Sequence, residues 1–159
     1  MPIKEKPYVY KPKPAREKYL LVDGYNIIFS WPQLRSLAGI NLDSARDSLI
    51  DICCNYNGSV EKTLILVFDA YKVKGNPGSV TKVNNIYVVY TKEAETADQY
   101  IEKTVHRMAK NSDIIVATSD GLEQMIIYGD GAQRMSSLEF LKEVERENTR
   151  LHEEGFVKE

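Results

Sequence analysis

Four short, unbroken apolar runs set the terms on which this chain can fold: Tyr19-Leu20-Leu21-Val22, Leu64-Ile65-Leu66-Val67-Phe68, Ile86-Tyr87-Val88-Val89-Tyr90 and Ile114-Ile115-Val116-Ala117. All are rich in β-branched or aromatic residues. Continuous rather than alternating apolarity is the mark of strands covered on both faces, as in a parallel sheet with helices on either side. Helical patterns lie between and after them, at Leu42–Tyr56, Ala97–Lys110, Gly121–Tyr128 and Leu138–Glu154. This alternation predicts an α/β fold, a three-layer α/β/α sandwich around a mostly parallel central sheet. With 159 residues, 43% of them apolar, one domain can bury a core without a metal or disulfide staple.

Local signals sharpen the picture. Thr96-Ala97-Asp98-Gln99 has the spacing of a capping box, and Ile101, Val105 and Met108 then follow on one helical face. Ser136-Ser137-Leu138-Glu139 reads as a second capping box that opens the last helix; beyond Glu143 that helix is mostly charged and is expected to project into solvent. The stretch Lys72–Asn85, with Gly75, Pro77 and Gly78, reads as a mobile loop. Pro2, Pro7, Pro12 and Pro14 deny a helix to residues 1–18, which read as an extended basic tail ahead of a folded unit over 19–159. The tail carries a surplus of four positive charges, so that a net charge of −2 leaves the other 141 residues at −6. Such an arm suits a phosphate backbone or is merely solvated.

Neither a membrane span nor a signal peptide is apparent, which points to a soluble cytoplasmic protein. Cys53 and Cys54 are neighbours on a helix, point about 100° apart, and form no bridge with each other. At least one belongs to the core. With only His106 and His152 besides, a Cys/His zinc site is excluded. Any metal must then be held by oxygen, which favours Mg²⁺ or Mn²⁺.

The acids fall where such an ion would need them. The first, second and fourth apolar runs end in or near Asp23, Asp69 and Asp120, separated by 46 and 51 residues in the chain. In a parallel sheet all carboxyl ends share one edge, the edge at which open α/β folds bind ligands. Asp98, in the first turn of a helix, and Glu95 just before its cap add acids to the same edge, and Glu102 shares the helical face of Asp98. Each acid also has a plain structural role open to it, as a cap, a turn former, a partner of the helix dipole or a solvated charge. Clustered carboxylates repel one another, a cost that a divalent cation offsets, and that cation chemistry suits phosphoryl transfer or phosphodiester hydrolysis.

Four ordered blocks resemble one family. Leu20-Leu21-Val22-Asp23-Gly24-Tyr25-Asn26-Ile27-Ile28, Val67-Phe68-Asp69-Ala70, Thr91-Lys92-Glu93-Ala94-Glu95-Thr96-Ala97-Asp98 and Ala117-Thr118-Ser119-Asp120-Gly121-Leu122-Glu123-Gln124 are similar to the NYN domains of the YacP-like branch of PIN-like nucleases, over about Tyr19 to Leu141. The resemblance implies a PIN-like sandwich and a metal-dependent endoribonuclease that cuts messenger RNA in association with the ribosome, leaving 5′-phosphate and 3′-hydroxyl ends. By the same resemblance, Asp23, Asp98 and Asp120 are the catalytic and metal-binding acids, with Glu95 the other candidate at the helix start. Asn26, Asp69 and Ser119 support them. Lys72, Lys74 and Lys82 offer phosphate contacts against a sequence pI near 5.8, and Tyr25 and Trp31 are open either to base stacking or to core packing. A monomer is expected.

Other classes fit poorly. A haloacid-dehalogenase-type phosphatase wants a second Asp where Tyr25 stands, and there is neither GxGxxG after the first strand nor a GxxxxGK[ST] loop. The serious rival is a non-catalytic RNA- or ribosome-binding protein on the same fold.

Overall fold

The computed structural model describes residues 16–60, 62–70, 77–119 and 131–153. Its elements run β1 (Glu17–Asp23), α1 (Gly24–Ser30), α2 (Pro32–Ile40), α3 (Leu42–Asn57), β2 (Thr63–Phe68), β3 (Ser79–Val83), β4 (Ile86–Tyr90), α4 (Ala97–Met108), β5 (Ser112–Ala117), β6 (Gln133–Met135) and α5 (Ser137–Glu153). They build one six-stranded sheet in the order β3-β4-β2-β1-β5-β6. Every neighbouring pair is parallel except β3 and β4. The tail over residues 1–15 and the helix expected at Gly121–Tyr128 lie outside the described residues. No helix among the described residues is long and apolar enough to cross a membrane.

Alternation along the strands divides the core into two layers. Leu20, Val22, Leu64, Leu66 and Phe68 face one side, where they pack with residues of α1, α2, α3 and α5. Leu21, Val67, Val89 and Val116 face the other, against Ala97, Ile101 and Val105 of α4. The unbroken apolarity of the strands follows from this double cover. The cap over Thr96 forms as its spacing predicts, with Thr96 Oγ1 accepting from the Gln99 amide and Gln99 Oε1 from the Thr96 amide. Ser136 and Glu139 make the equivalent reciprocal pair at the start of α5.

Several expectations are corrected. Glu17 and Lys18 belong to β1 rather than to a tail. Arg16, counted there among the tail charges, pairs with Asp113 at 2.8 Å and donates to the carbonyls of Ala109, Lys110 and Ser112, fastening the end of α4 to the start of β5. The expected loop over Lys72–Asn85 contains β3, joined to β4 by the turn Asn84-Asn85, where Asn84 takes a φ of 52°. Asn tolerates that left-handed conformation better than most residues. The last helix does not leave the body at Glu143: Val144 is buried, and Glu147 accepts from Ser59 Oγ at 3.0 Å. Helices α1 and α2 were not evident in the sequence, because Gly24, Pro32 and the short turn between them mask the period.

Gly24 shows how tightly α1 is set upon the sheet. A Cβ at this position would fall on the ring of Phe68. That ring cannot retreat, since it is fully buried and packs against Tyr25 at 5.1 Å and Tyr90 at 5.6 Å between ring centroids. Gly24→Ala is therefore expected to destabilise the protein by roughly 1–3 kcal/mol, the usual cost of overpacking a filled core. Chemical denaturation checks this; a midpoint unchanged from the wild type would show that Phe68 gives way freely.

Candidate active site

Strand order determines where ligands can gather. From β1 the chain builds outward through β2 and β4, then returns by α4 to place β5 on the opposite side of β1. The order reverses at β1, and the crevice outside its carboxyl end is the usual ligand position in open α/β sheets. The period of two places specific side chains there. On β1, Tyr19 and Leu21 face α4, so the next residue on that face is Asp23; on β2 the same series runs Ile65, Val67, Asp69. On β5 it runs Ile114, Val116, Thr118. Directly beyond the apolar layer, the sheet thus turns polar on the face that α4 covers.

Asp23 is 6% exposed and accepts a hydrogen bond from Thr118 Oγ1 at 3.2 Å. Its carboxyl is raised from the ordinary 3.8 to about 7. Burial is the largest cause and the Asp98 carboxylate the next; the Thr118 hydroxyl pulls the other way, Asp69 pushes up, and the Asn26 backbone amide opposes. Asp98 and Asp69 therefore both lie within electrostatic reach of Asp23, although the chain parts Asp98 from it by 75 residues.

The supporting acids have separate tasks. Asp69 Oδ1 accepts from the Ala97 amide at 2.6 Å and so holds the first turn of α4, which carries Asp98. Thr91, 1% exposed, assists: its hydroxyl accepts from the Ala70 amide and donates to the Glu95 carbonyl. Glu95 itself turns to Lys103, with 2.8 Å between Oε2 and Nζ. Of the two helix-start candidates, Asp98 is the one that acts on Asp23. Asn26 and Ser119 form a second brace, in which Asn26 Oδ1 accepts from the Ser119 amide at 2.8 Å. The Ser119 hydroxyl lies 2.7 Å from that of Ser137 and accepts from the Ser137 amide. Ser137 also accepts, through its carbonyl, from the Trp31 indole at 2.8 Å.

The rim does not collect every expected residue. Asp120, Lys72 and Lys74 lie outside the described residues. Lys82 sits on the edge strand β3, its ammonium 5.8 Å from the centre of the Tyr87 ring. Tyr25 and Trp31 are buried, the tyrosine hydroxyl accepting from Arg46, so both pack the core and neither offers a face to a base. Thr118 and Thr91 were passed over in the sequence, although each directly follows or ends an apolar run; their roles depend on partners 95 and 21 residues away.

Among the described residues, no group of three or more His, Cys, Asp or Glu side chains is placed to hold a metal ion. The donors present are oxygens of Asp23 and Asp98, and Mg²⁺ is commonly bound through one or two carboxylates with waters completing its shell. That set fits Mg²⁺ or Mn²⁺ and not zinc. A carboxyl that burial and like charge have pushed to about 7 gains most from a cation, which reverses both penalties.

A mostly parallel three-layer sandwich whose acids stand where the strand order reverses is, in class, an open α/β domain with a candidate ligand site at its switch point. More narrowly, residues 20–158 match the YacP-like NYN domain, and the chain belongs to that family. It is 44% identical over 133 residues to the protein YacP of Bacillus subtilis (strain 168), covering 83% of this chain and 78% of that one. It is also similar to two crystal structures of Rae1 (YacP) from Bacillus subtilis. A tryptophan-to-leucine mutant gives a TM-score of 0.75 at 40% identity, covering 86% of this chain and 80% of that chain. The other gives 0.72 at 43% identity, covering 86% and 78%.

The raised Asp23 carboxyl has a consequence for stability. A folded-state value of about 7 against 3.8 means that the fold holds a proton the unfolded chain has released. Its contribution is complete below the unfolded value and is lost as pH rises through about 7. Asp23→Asn removes that loss, so its melting temperature should exceed the wild type by roughly 3–10 °C at pH 8 and by much less at pH 4. Mg²⁺ should narrow the gap at pH 8 by stabilising only the wild type. Equal gaps at both pH values in thermal melts would show that Asp23 titrates normally.

Proposed function

We propose that this protein is a Mg²⁺- or Mn²⁺-dependent endoribonuclease that acts in the cytoplasm on messenger RNA, in association with the ribosome. The observation that carries the reading is Asp23, buried beside Asp98 and raised to about 7. A fold gains nothing in stability from such a pair, and a bound cation gives it a use. Membership of the YacP-like NYN family, whose domains are generally nucleases, supports the same reading.

Asp23 and Asp98 would hold the cation, with Asp120 as the third acid. When bound, it supplies an acidified water and neutralises charge on the scissile phosphate. The chain's own residues orient and select. Thr118 fixes the rotamer of Asp23 through its hydroxyl, Asp69 keeps the first turn of α4 facing the rim, and the Asn26–Ser119 bond anchors the segment that leads to Asp120. Burial of Asp23 places its carboxyl in low-dielectric surroundings, which strengthens each charge interaction it makes.

The test is cleavage of messenger RNA by the full chain on translating ribosomes, with Mg²⁺ and with chelator. The wild type should cut only with the cation. Asp98→Asn and Asp120→Asn should lose more than the roughly 10–100-fold that removing a hydrogen-bond partner of a metal ligand costs. Asn variants that cut like the wild type would refute the carboxylate mechanism. Sedimentation with ribosomes and no cleavage by any form would favour a binding protein on the same fold.

A further inference from the structure

Beside the acidic rim, a groove of about 320 Å³ runs between α4 and the β3–β4 hairpin. Lys92 and Glu95 stand at the rim end; Tyr100, Lys103 and Arg107 line the α4 wall, and Val80 of β3 lies opposite. The helical period explains the wall: Ile101 and Val105 turn to the sheet, which leaves 100, 103 and 107 on the neighbouring face. Lys103 and Arg107 are one turn apart, about 6 Å along the axis, and Arg107 lies about 13 Å from Asp98 on the same measure.

This groove next to the rim carries a local surplus of positive charge. The chain as a whole carries −2, yet three exposed cations meet here against one carboxylate. Among the described residues neither Lys92 nor Arg107 has an ion-pair partner, and Lys103 pairs only with Glu95, its own side chain 59% exposed. The Glu95 side chain is 19% exposed, so the pair is open at its lysine end, where a phosphate can compete for the ammonium. Lys103 Nζ also lies 5.6 Å from the centre of the half-buried Tyr100 ring, so one position offers both a cation and an aromatic face.

A site built of carboxylates repels the polyanion it must cut, and cations next to it have to hold the strand. On this basis we propose that single-stranded RNA runs along this groove to the acidic rim, with backbone phosphates on Lys92, Lys103 and Arg107 and one base against Tyr100. The inference rests on the nuclease reading and adds the path of the strand. Unpaired rather than duplex RNA fits because stacking on a side chain needs a free base face.

Binding of a fluorescently labelled single-stranded ribooligonucleotide, measured by anisotropy in chelator so that nothing is cut, tests the proposal with the full chain. Lys103→Glu with Arg107→Glu should weaken binding at least tenfold and reduce the salt slope by roughly 1.4, about 0.7 for each phosphate of a single strand that is no longer neutralised. Tyr100→Ala should cost about fivefold or more. Asp98→Asn should bind at least as tightly as the wild type, having lost one repelling charge, while failing to cut. A melting temperature within a few degrees of wild type shows that the charge variants are folded; Lys103→Gln with Arg107→Gln, an intermediate loss, serves if the reversals are not. On translating ribosomes, 4-thiouridine in the message should crosslink to the segment from Tyr100 to Arg107. Unchanged affinity and crosslinks elsewhere, with cleavage intact, would overturn the groove and leave the nuclease reading standing. Displacement of the RNA by duplex or by poly-glutamate as readily as by single strand would also overturn it. Absence of both cleavage and crosslinking in the wild type would instead remove the nuclease reading on which it rests.

Discussion

Burying Asp23 is the costly act around which this molecule is arranged. The residue is 6% exposed, its carboxyl feels two further acids, and burial with the Asp98 charge lifts it to about 7. The Thr118 hydroxyl and the Asn26 amide return only part of that cost. Folding alone does not require such an arrangement, since Asn would fill the same space without the penalty. The cation proposed between it and Asp98 would account for it, because such an ion would stabilise the charged forms that burial and repulsion disfavour.

The rest of the fold holds this unfavourable pair in place. Leu21, Val67 and Val116 form the apolar floor under α4, and the next polar positions on that face are Asp23, Asp69 and Thr118. Asp69 spends its carboxylate on the Ala97 amide, so the like charge that raises Asp23 is also what fixes the helix bearing Asp98. Arg16 fastens the far end of α4 to β5 through four hydrogen bonds. With both ends of the helix anchored, Asp98 has little freedom to retreat from Asp23. Gly24 makes the corresponding restriction on the other face, where only a missing Cβ lets α1 start directly after the strand that carries the acid.

Much of this was legible before any coordinates. β1, β2, β4 and β5 are read from continuous apolarity, and α3, α4 and α5 from period and caps, because those signals are local. Parallel topology brings Asp23 and the start of α4 to the same edge, and the capping box at Thr96 puts Asp98 in the first turn there. What stayed hidden depends on distant partners. Nothing near Asp69 says that it will bond Ala97, 28 residues on, and while the family resemblance already favours Asp98 over Glu95, the pairing of Glu95 with Lys103 is visible only in the fold. β3 was obscured by Gly75, Pro77 and Gly78, although Asn84-Asn85 supplied a turn signal; β6 has three residues and no apolar pattern to read. Arg16 looked like one more charge of a basic tail because its four acceptors all lie beyond residue 108.

Paramagnetic broadening by Mn²⁺ tests most directly whether these acids share one ion. In a backbone-assigned NMR spectrum, substoichiometric Mn²⁺ should broaden the amides around Asp23, Asp98 and Thr118 together, with Mg²⁺ reversing the effect by competition. Broadening confined to the exposed acids of α5, with the amide of Asp23 untouched, would contradict a metal centre at this rim.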